Sequence, residues 1–415
     1  MAEAFVYITL PGAIAPITAG RFVLETDRSG TSVGRFVYRR RYLDLPEAAQ
    51  IDPVELKLST RTYETAALKG MFGALRDAGP DYWGRRIIEK HAGKPQLGEL
   101  DYLLQSADDR AGALGFGLNV EPPAPRRAFN QTVALDRLQE IADAVVADEG
   151  LPADALHAQI QDLLLVGTSM GGARPKAVVE DAGALWLAKF NRQDDRWNSA
   201  RVEHAMLLLA RACGLDVADS KLAMAGGRDV LLVRRFDREL GAAGYARARM
   251  VSALTLLRAE DSHRSRDRWS YPALAEELRR VSAEPAHDAA ELFRRMTFNA
   301  LISNSDDHPR NHAILAKARD WRLSPAYDLT PNPQVSLERR DLALTLGDAG
   351  RIATASNLVS QGARFLLQAA EAQTIVDEMA AQVRACWYKI AREAGVSERD
   401  CGLIAGAFAY PGFRP

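Results

Sequence analysis

Apolar residues change period several times along this chain, and each change predicts a different kind of element. In AFVYITL (4–10), RFVLETD (21–27), GRFVYRRRYLDL (34–45) and VELKLS (54–59), β-branched and aromatic residues recur at strand-like spacing, which predicts four strands. The period then lengthens. YETAALKGMFGALRDAGPDYWGRRIIEKH (63–91) is helical in pattern, Gly79-Pro80 interrupts it, and Asp81 is placed to cap a second helix. A third helix is predicted over Leu97–Gln105. The proline-rich stretch VEPPAPRRA (120–128) holds almost no large apolar residue and predicts a linker. Leu135, Leu138, Ala142 and Val145 restore helical spacing within 130–160. Between 161 and 238 the pattern is a glycine-rich loop, two short strands, a helix and two more strands. Helices dominate from 250 onward, except where AILA, KARD and WRL (313–323) predict a hairpin; Asn357 to about Ala407 is again helical. The expected division is a small mixed α/β module at 1–118, a linker at 119–130, a module carrying the glycine-rich loop at 131–238 and a helical module at 239–415.

Composition narrows the class. A chain of 415 residues is too long for one hydrophobic core. With 47% hydrophobic residues, 26% charged residues and a formal net charge of -1, it has an ordinary globular balance and no overall field favouring nucleic acid or an anionic membrane. Basic runs such as Arg39, Arg40 and Arg41 are short and read as solvated faces. The three cysteines, Cys213, Cys386 and Cys401, are scattered, which suggests neither a disulfide framework nor a zinc site and fits a reducing cytoplasm. The N-terminal MAEAFVYITLPGAIAP lacks a signal-peptide pattern, and no apolar run reaches membrane-spanning length.

The densest chemistry lies in LISNSDDHPRNHAIL (301–315). Asp306 and Asn311 are five positions apart, the D-x-x-x-x-N spacing of a kinase catalytic loop. There the carboxylate accepts the proton of an attacking hydroxyl, and the amide oxygen holds a metal ion on the nucleotide phosphates. Pro309 keeps the stretch out of regular helix. The hairpin that follows brings SPAYDLTP back, so Asp328 can return beside Asn311, and a second carboxylate suits Mg²⁺, which prefers hard oxygen ligands. By itself the spacing recurs by chance in chains of this length, and an Asp/Asn-rich turn is commonly only a cap. His308 and His312, four apart, offer a rival reading as part of a metal-dependent phosphoesterase; Pro309 between them argues against a shared helix face, and His308 then serves to fix the loop.

Upstream, LLVGTSMGGARPKAVVEDAGALWLAKFN (164–191) joins a glycine loop to two strands. Gly167, Gly171 and Gly172 allow backbone N–H groups to approach phosphates closely. Lys189 alternates with Leu185 and Leu187 on one strand face, so it projects beneath the loop. Asn198 or Ser199 caps the next helix, and Glu203 on it stands either to pair with Lys189 or as a plain surface residue. DVLLVRRFDR (229–238) reads as a strand connecting two lobes, with Arg234, Phe236 and Asp237 near a nucleotide.

Taken in order, SMGGARPKAVV, WLAKFN, LLVRRFDR, NSDDHPRN and YDLTP, with the N-terminal FGALRDAGPDYWGRRII and DYLLQSADDRAGALGF, resemble the HipA-type serine/threonine kinases, toxins of bacterial toxin–antitoxin pairs. The resemblance covers most of the chain. It implies an α+β, two-lobed fold of the protein-kinase and phosphoinositide-kinase type, with a helical C-terminal lobe. It implies ATP and Mg²⁺, with Gly171, Gly172 and Lys189 on the nucleotide, Asp306 (with His308) at the catalytic position, and Asn311 and Asp328 on the metal. Ser169 takes the place of an autophosphorylated serine. The implied substrate is a protein, such as an aminoacyl-tRNA synthetase, and the implied partner is a helix-turn-helix antitoxin of the HipB type, through which operator DNA is met only indirectly. Arg234 departs from the acidic residue expected in the connecting strand. A reading of another class is a catalytically quiet binding partner of a DNA-bound repressor.

Overall fold

The computed structural model describes residues 2–125, 129–131, 134–147, 174–333 and 336–414. Gly167, Ser169, Gly171 and Gly172 lie outside these residues. The first sheet is antiparallel, in the order β4-β3-β2-β1-β5, from β1 (Ala2–Thr9), β2 (Pro16–Thr26), β3 (Ser32–Tyr38), β4 (Tyr63–Thr65) and β5 (Leu114–Gly117). Two strand expectations change here. The segment RRRYLDL leaves β3 as a short helix, Arg40–Leu43, in which Tyr42 turns inward and its hydroxyl donates to the Ala49 carbonyl at 2.6 Å. VELKLS is not a strand at all. The buried Asp52 carboxylate gathers the N–H groups of Val54 and Glu55 at 2.7 and 2.5 Å, so a local side-chain turn takes backbone donors that a strand would have offered to a neighbour. The sheet instead takes its edge from Tyr63–Thr65.

Gly79-Pro80 does separate two helices, Gly73–Asp77 and Tyr82–Ala92, and Asp81 caps the second by accepting from Gly84 N at 2.8 Å. The third helix is Glu99–Gln105 and a fourth is Leu135–Ala147.

The second sheet has the order β6-β7-β8-β10-β9, from β6 (Asn130–Gln131), β7 (Lys176–Asp181), β8 (Ala184–Phe190), β9 (Ser220–Ala225) and β10 (Arg228–Arg234), with only β6–β7 parallel. Helix Ser199–Ala212 packs against β9 and β10 and is capped by Asn198, which accepts from Arg201 N at 3.1 Å. After the hairpin β11 (Arg238–Gly241) and β12 (Gly244–Arg247) comes a small sheet of β13 (Arg249–Ser252), β14 (Ala313–Ala316) and β15 (Arg322–Leu323). The last two strands are the expected hairpin, with Ile314 opposite Leu323. Helix Pro285–Leu301 runs through the interior, and helix Ala369–Glu393 packs on both it and Ser199–Ala212. Among the described residues no helix is long and apolar enough to cross a membrane.

Buried apolar side chains form two clusters. One belongs to the second sheet, with Trp83 and Ile87 inserted into it from helix Tyr82–Ala92. The other is continuous from Val6 and Phe22 through Leu254 and Phe298 to Phe413. The N-terminal sheet therefore shares its core with the C-terminal helices. The contact is close: a Cβ on Gly73 would lie 2.5 Å from Thr255 Oγ1, so only glycine lets helix Gly73–Asp77 approach there. Asp77 then accepts from Ser252 N, Ser252 Oγ and Thr255 Oγ1 at 2.7, 2.8 and 2.6 Å.

Candidate active site

Strand alternation turns Lys189 of β8 toward helix Ser199–Ala212, where the first-turn cap sets the rotation that directs Glu203 back at it. The lysine is buried, and its Nζ lies 2.6 Å from Glu203 Oε1 and 2.6 Å from Asp328 Oδ1. Of the two readings of Glu203, the pair is the one realised. Burial alone would favour a neutral amine, but Asp328 and Glu203 more than offset it, and the lysine pKa lies above its ordinary value. Burial pushes the Glu203 carboxyl up. For Asp328 the same burial is outweighed by Lys189, which holds it below the ordinary carboxylate value. Asp328 also sits at φ +59, a left-handed conformation uncommon for a residue other than glycine. Such backbone persists where its surroundings hold it, and clusters at functional sites.

The loop carrying Asp306 is fixed from below. Helix Pro285–Leu301 ends at Ile302, and Ser303 turns the chain at φ +55. The buried guanidinium of Arg340 donates to Ser303 Oγ at 2.6 Å, and that hydroxyl donates to Ala407 O at 2.6 Å. Asp307, sealed from water, accepts from the Tyr271 hydroxyl and stands 3.1 Å from His312 Nε2. Asn304 reaches Asn299 Oδ1 at 3.0 Å. Pro309–Asn311 form a single 3₁₀ turn, as the proline suggested. Of two adjacent carboxylates, Asp307 is thus consumed by the scaffold while Asp306 stays open to solvent. Desolvation within the cleft, with Asp328 and Asp307 nearby, raises the Asp306 pKa against the pull of His308.

Lys189, Glu203, Asp306, Asn311 and Asp328 line one cavity of about 480 Å³, an ordinary size for a small-molecule site. Three further residues in its wall gave no sequence signal. Arg174 makes a two-pronged pair with Asp195 at 2.7 and 2.8 Å, Lys176 pairs with the capping Asp81 at 2.5 Å, and Asn304 rests on the helix below. A spacing rule detects neither ion pair, because Asp195 and Asp81 are remote in sequence from Arg174 and Lys176; Asn304 is held by Asn299, five residues before it.

A divalent cation fits this donor set. Asn311 donates its amide to Asp306 O at 3.4 Å, while its Oδ1 is buried without a hydrogen-bond partner among the described residues. A neutral hard oxygen left unpaired beside a carboxylate is what Mg²⁺ accepts, and it commonly takes only one or two carboxylates together with phosphates. The histidine-based alternative finds less. His312 faces Asp307 and stacks edge-on with Tyr271 at 5.2 Å, and His308 faces a neighbouring cavity. Among the described residues no group of three or more His, Cys, Asp or Glu side chains stands where it could hold a metal ion.

The connecting strand departs from expectation. The Arg234 side chain is half exposed and 3.4 Å from Asp219. Phe236 packs against Tyr327 at 5.4 Å, next to Asp328 but not in the cavity wall. The Asp237 carboxylate is fully buried and taken up by Arg235, Arg238 and Gly112 N, so it has no capacity left for a ligand. Charge at a strand end suggested a ligand contact; its partners are arginines and the Asp109–Gly112 segment instead.

Residues 168–387 match the family described as HipA-like C-terminal domain, and residues 17–117 match the HipA N-terminal domain. Two Sinorhizobium fredii proteins named as candidate kinases are similar over part of the chain. Y4mE is 35% identical over 130 residues, 31% of this chain and 31% of its own length. Y4dM is 29% identical over 163 residues, 36% of this chain and 38% of its own. The matched stretches therefore span about a third of these relatives. Among solved structures, the Shewanella oneidensis MR-1 toxin–antitoxin complex of HipA, HipB and operator DNA contains a chain of similar fold, with a TM-score of 0.66 at 16% identity, covering 96% of this chain and 94% of that one.

Proposed function

Because this chain belongs to the HipA family, we propose that it is an ATP- and Mg²⁺-dependent serine/threonine protein kinase acting as a growth-arresting toxin. The observation that carries the reading is Lys189 held between Glu203 and Asp328 at 2.6 Å each, in the cavity that also receives Asp306 and Asn311. In this reading 1–118 is the family's N-terminal domain, 119–130 a connection, 131–238 the nucleotide lobe and 239–415 the catalytic lobe.

Lys189 neutralises phosphate charge, and Gly171 and Gly172, outside the described residues, are assigned by the resemblance to contact the phosphates. Asn311 and Asp328 hold the cation, which when bound would neutralise charge on the phosphates. Asp306 accepts the proton of the acceptor hydroxyl as that oxygen bonds to the γ-phosphorus. The bond to the β-phosphate oxygen breaks, and ADP leaves with its electron pair. The raised Asp306 pKa suits a base that must take and then release a proton. His308 orients the loop. Arg234 and Phe236 contribute backbone, and Asp237 only position.

The proposed target is a translation protein such as an aminoacyl-tRNA synthetase. A helix-turn-helix antitoxin of the HipB type restrains the kinase, and operator DNA is met through it. Autophosphorylation of Ser169 would place nearly two negative charges and three strong acceptors in the loop that grips ATP, switching the enzyme off. Labelled ATP supplied to the purified protein and to a cell lysate tests the reading. Transfer by the wild type, reduced by about 10²–10⁴-fold in Asp306→Ala, is the expected result. No transfer to any acceptor would leave a binding partner of a repressor as the function.

A further inference from the structure

Asp306 lines two cavities. The second, of about 630 Å³, lies between the loop 260–262 and the N-terminal residues Lys69, Arg76 and Tyr82, and shares only Asp306 with the first. Its charges are mostly matched in pairs. Arg85 makes a two-pronged pair with Glu99 at 3.1 and 2.6 Å, and Arg310 reaches Asp261 at 2.7 Å.

Arg76 is the exception. Its side chain is only 9% exposed. Nη1 donates to Ala259 O at 3.0 Å, but Nε and Nη2 have no acceptor among the described residues. The nearest carboxylate, Asp77, is 3.7 Å from Nη2 and is already engaged by Ser252 and Thr255. Desolvation depresses the Arg76 pKa, so the group is buried without full compensation. A buried cation missing two hydrogen bonds is costly in the free protein and gains most from an incoming anion. Around it the wall is built to receive something. Leu68 and Lys69 are held at φ +51 and +59, Lys69 stands at the rim with its ammonium exposed and only a long 3.8 Å contact to Glu99, and Tyr82 is 67% exposed.

We propose that this second cavity holds the acceptor protein segment. A serine or threonine hydroxyl reaches Asp306 from this side, and an acidic side chain a few residues away pairs with Arg76, assisted by Lys69. The proposal rests on the kinase reading. Transfer requires the hydroxyl to approach opposite the leaving oxygen, and the nucleotide occupies the first cavity. Asp306 and the exposed Glu260 repel an acid close to the hydroxyl, so the acid belongs at the Arg76 end. The N-terminal domain thereby becomes part of the substrate site, which requires the rigid attachment that Asp77 provides.

The test uses the full-length protein, Mg·ATP and an array of serine-centred peptides in which one Glu, or Gln as control, is stepped through the flanking positions. Wild type should prefer Glu at one position by about tenfold in kcat/KM, the scale of one charge-assisted hydrogen bond. Arg76→Gln should abolish that preference through KM, leaving kcat on the Gln peptide and ATP affinity within about twofold. Lys69→Glu, an exposed change that does not threaten folding, should weaken the preference in the same direction. A wild type that modifies peptides without a Glu preference, variants that keep the preference, or transfer to itself but to no peptide would each overturn the proposal. Failure of the wild type to phosphorylate any acceptor, itself included, would instead remove the kinase reading on which it stands.

Discussion

Asp109 and Arg235 are separated by 126 residues in the chain and by 2.7 Å in space, both sealed from water. Arg235 also holds Asp237 at 2.8 Å and the Arg110 carbonyl at 2.8 Å, and Arg238 adds contacts to Asp237 and to Gly112 O. Two buried cations and two buried anions thus join the N-terminal domain to the end of β10. Removing one member leaves an uncompensated charge, which costs about 3–5 kcal/mol. Arg235→Met should therefore lower the denaturant midpoint sharply, whereas Lys389→Ala, at an exposed helical pair with Glu393, should hardly move it. Equal midpoints for the two variants would contradict this account.

The same cluster sets a pH dependence. Against the desolvation of burial, Arg235 and Arg238 hold Asp109 and Asp237 below the ordinary 3.8. A carboxylate with a depressed folded pKa stabilises the fold above its unfolded pKa, and that contribution is lost as pH falls toward the folded value. Wild-type stability should thus fall steeply below about pH 4. Asp52 and Glu203, raised by burial, act in the opposite sense, so the comparison must be made against a variant. Asp237→Asn should be less stable at pH 7 and show a shallower loss between pH 4 and pH 2. Parallel stability curves for the two proteins would count against it.

Asp306 and Asp328 should separate in kinetics. Loss of a positioned base costs about 10²–10⁴-fold, so Asp306→Ala should lose transfer by that factor with its thermal midpoint intact, since the side chain is solvent-facing. Asp328→Ala should lose transfer as well, and should weaken Mg·ATP binding more, because it removes both the proposed ligand of the cation and a partner of Lys189. In wild type the acid limb of kcat/KM, which reports the free enzyme, should fall above pH 3.8, since the Asp306 pKa is raised there and the base must be ionised to act. Wild-type turnover in either variant would remove the assignment.

Much of this site was legible in the sequence because its signals are local. Alternation set the face of Lys189, and a cap and an apolar stripe set the helix carrying Glu203. The hairpin Ala313–Leu323 returned the chain so that Asp328 reaches Lys189. What remained hidden depends on remote partners. Nothing near Asp237 or Arg235 announces that residues 109–112 will enclose them, so charge at a strand end suggested a ligand contact. Asp52 likewise gives no strand-breaking signal as strong as its burial turns out to be. Arg76 reads as one more helical arginine until the helices around it leave two of its nitrogens without acceptors.

Asn311 permits a test in which structural and functional roles predict opposite outcomes. Its Oδ1 is buried and unpaired, and its amide makes one long contact to Asp306 O. If the side chain only held the loop, Asn311→Ala would destabilise the protein and leave metal dependence unaltered. If the oxygen is kept for a cation, removing an unsatisfied acceptor costs little, and stability should change by less than about 1 kcal/mol. ATP affinity in EDTA should then match wild type, while the gain in affinity on adding MgCl₂ should shrink markedly and half-maximal transfer should require more Mg²⁺. Calorimetric titration of ATP with and without MgCl₂, beside a denaturation curve, separates the two. A large fall in stability with an undiminished Mg²⁺ response would assign Asn311 to the scaffold and leave Asp328 as the cation's only protein ligand in this loop pair.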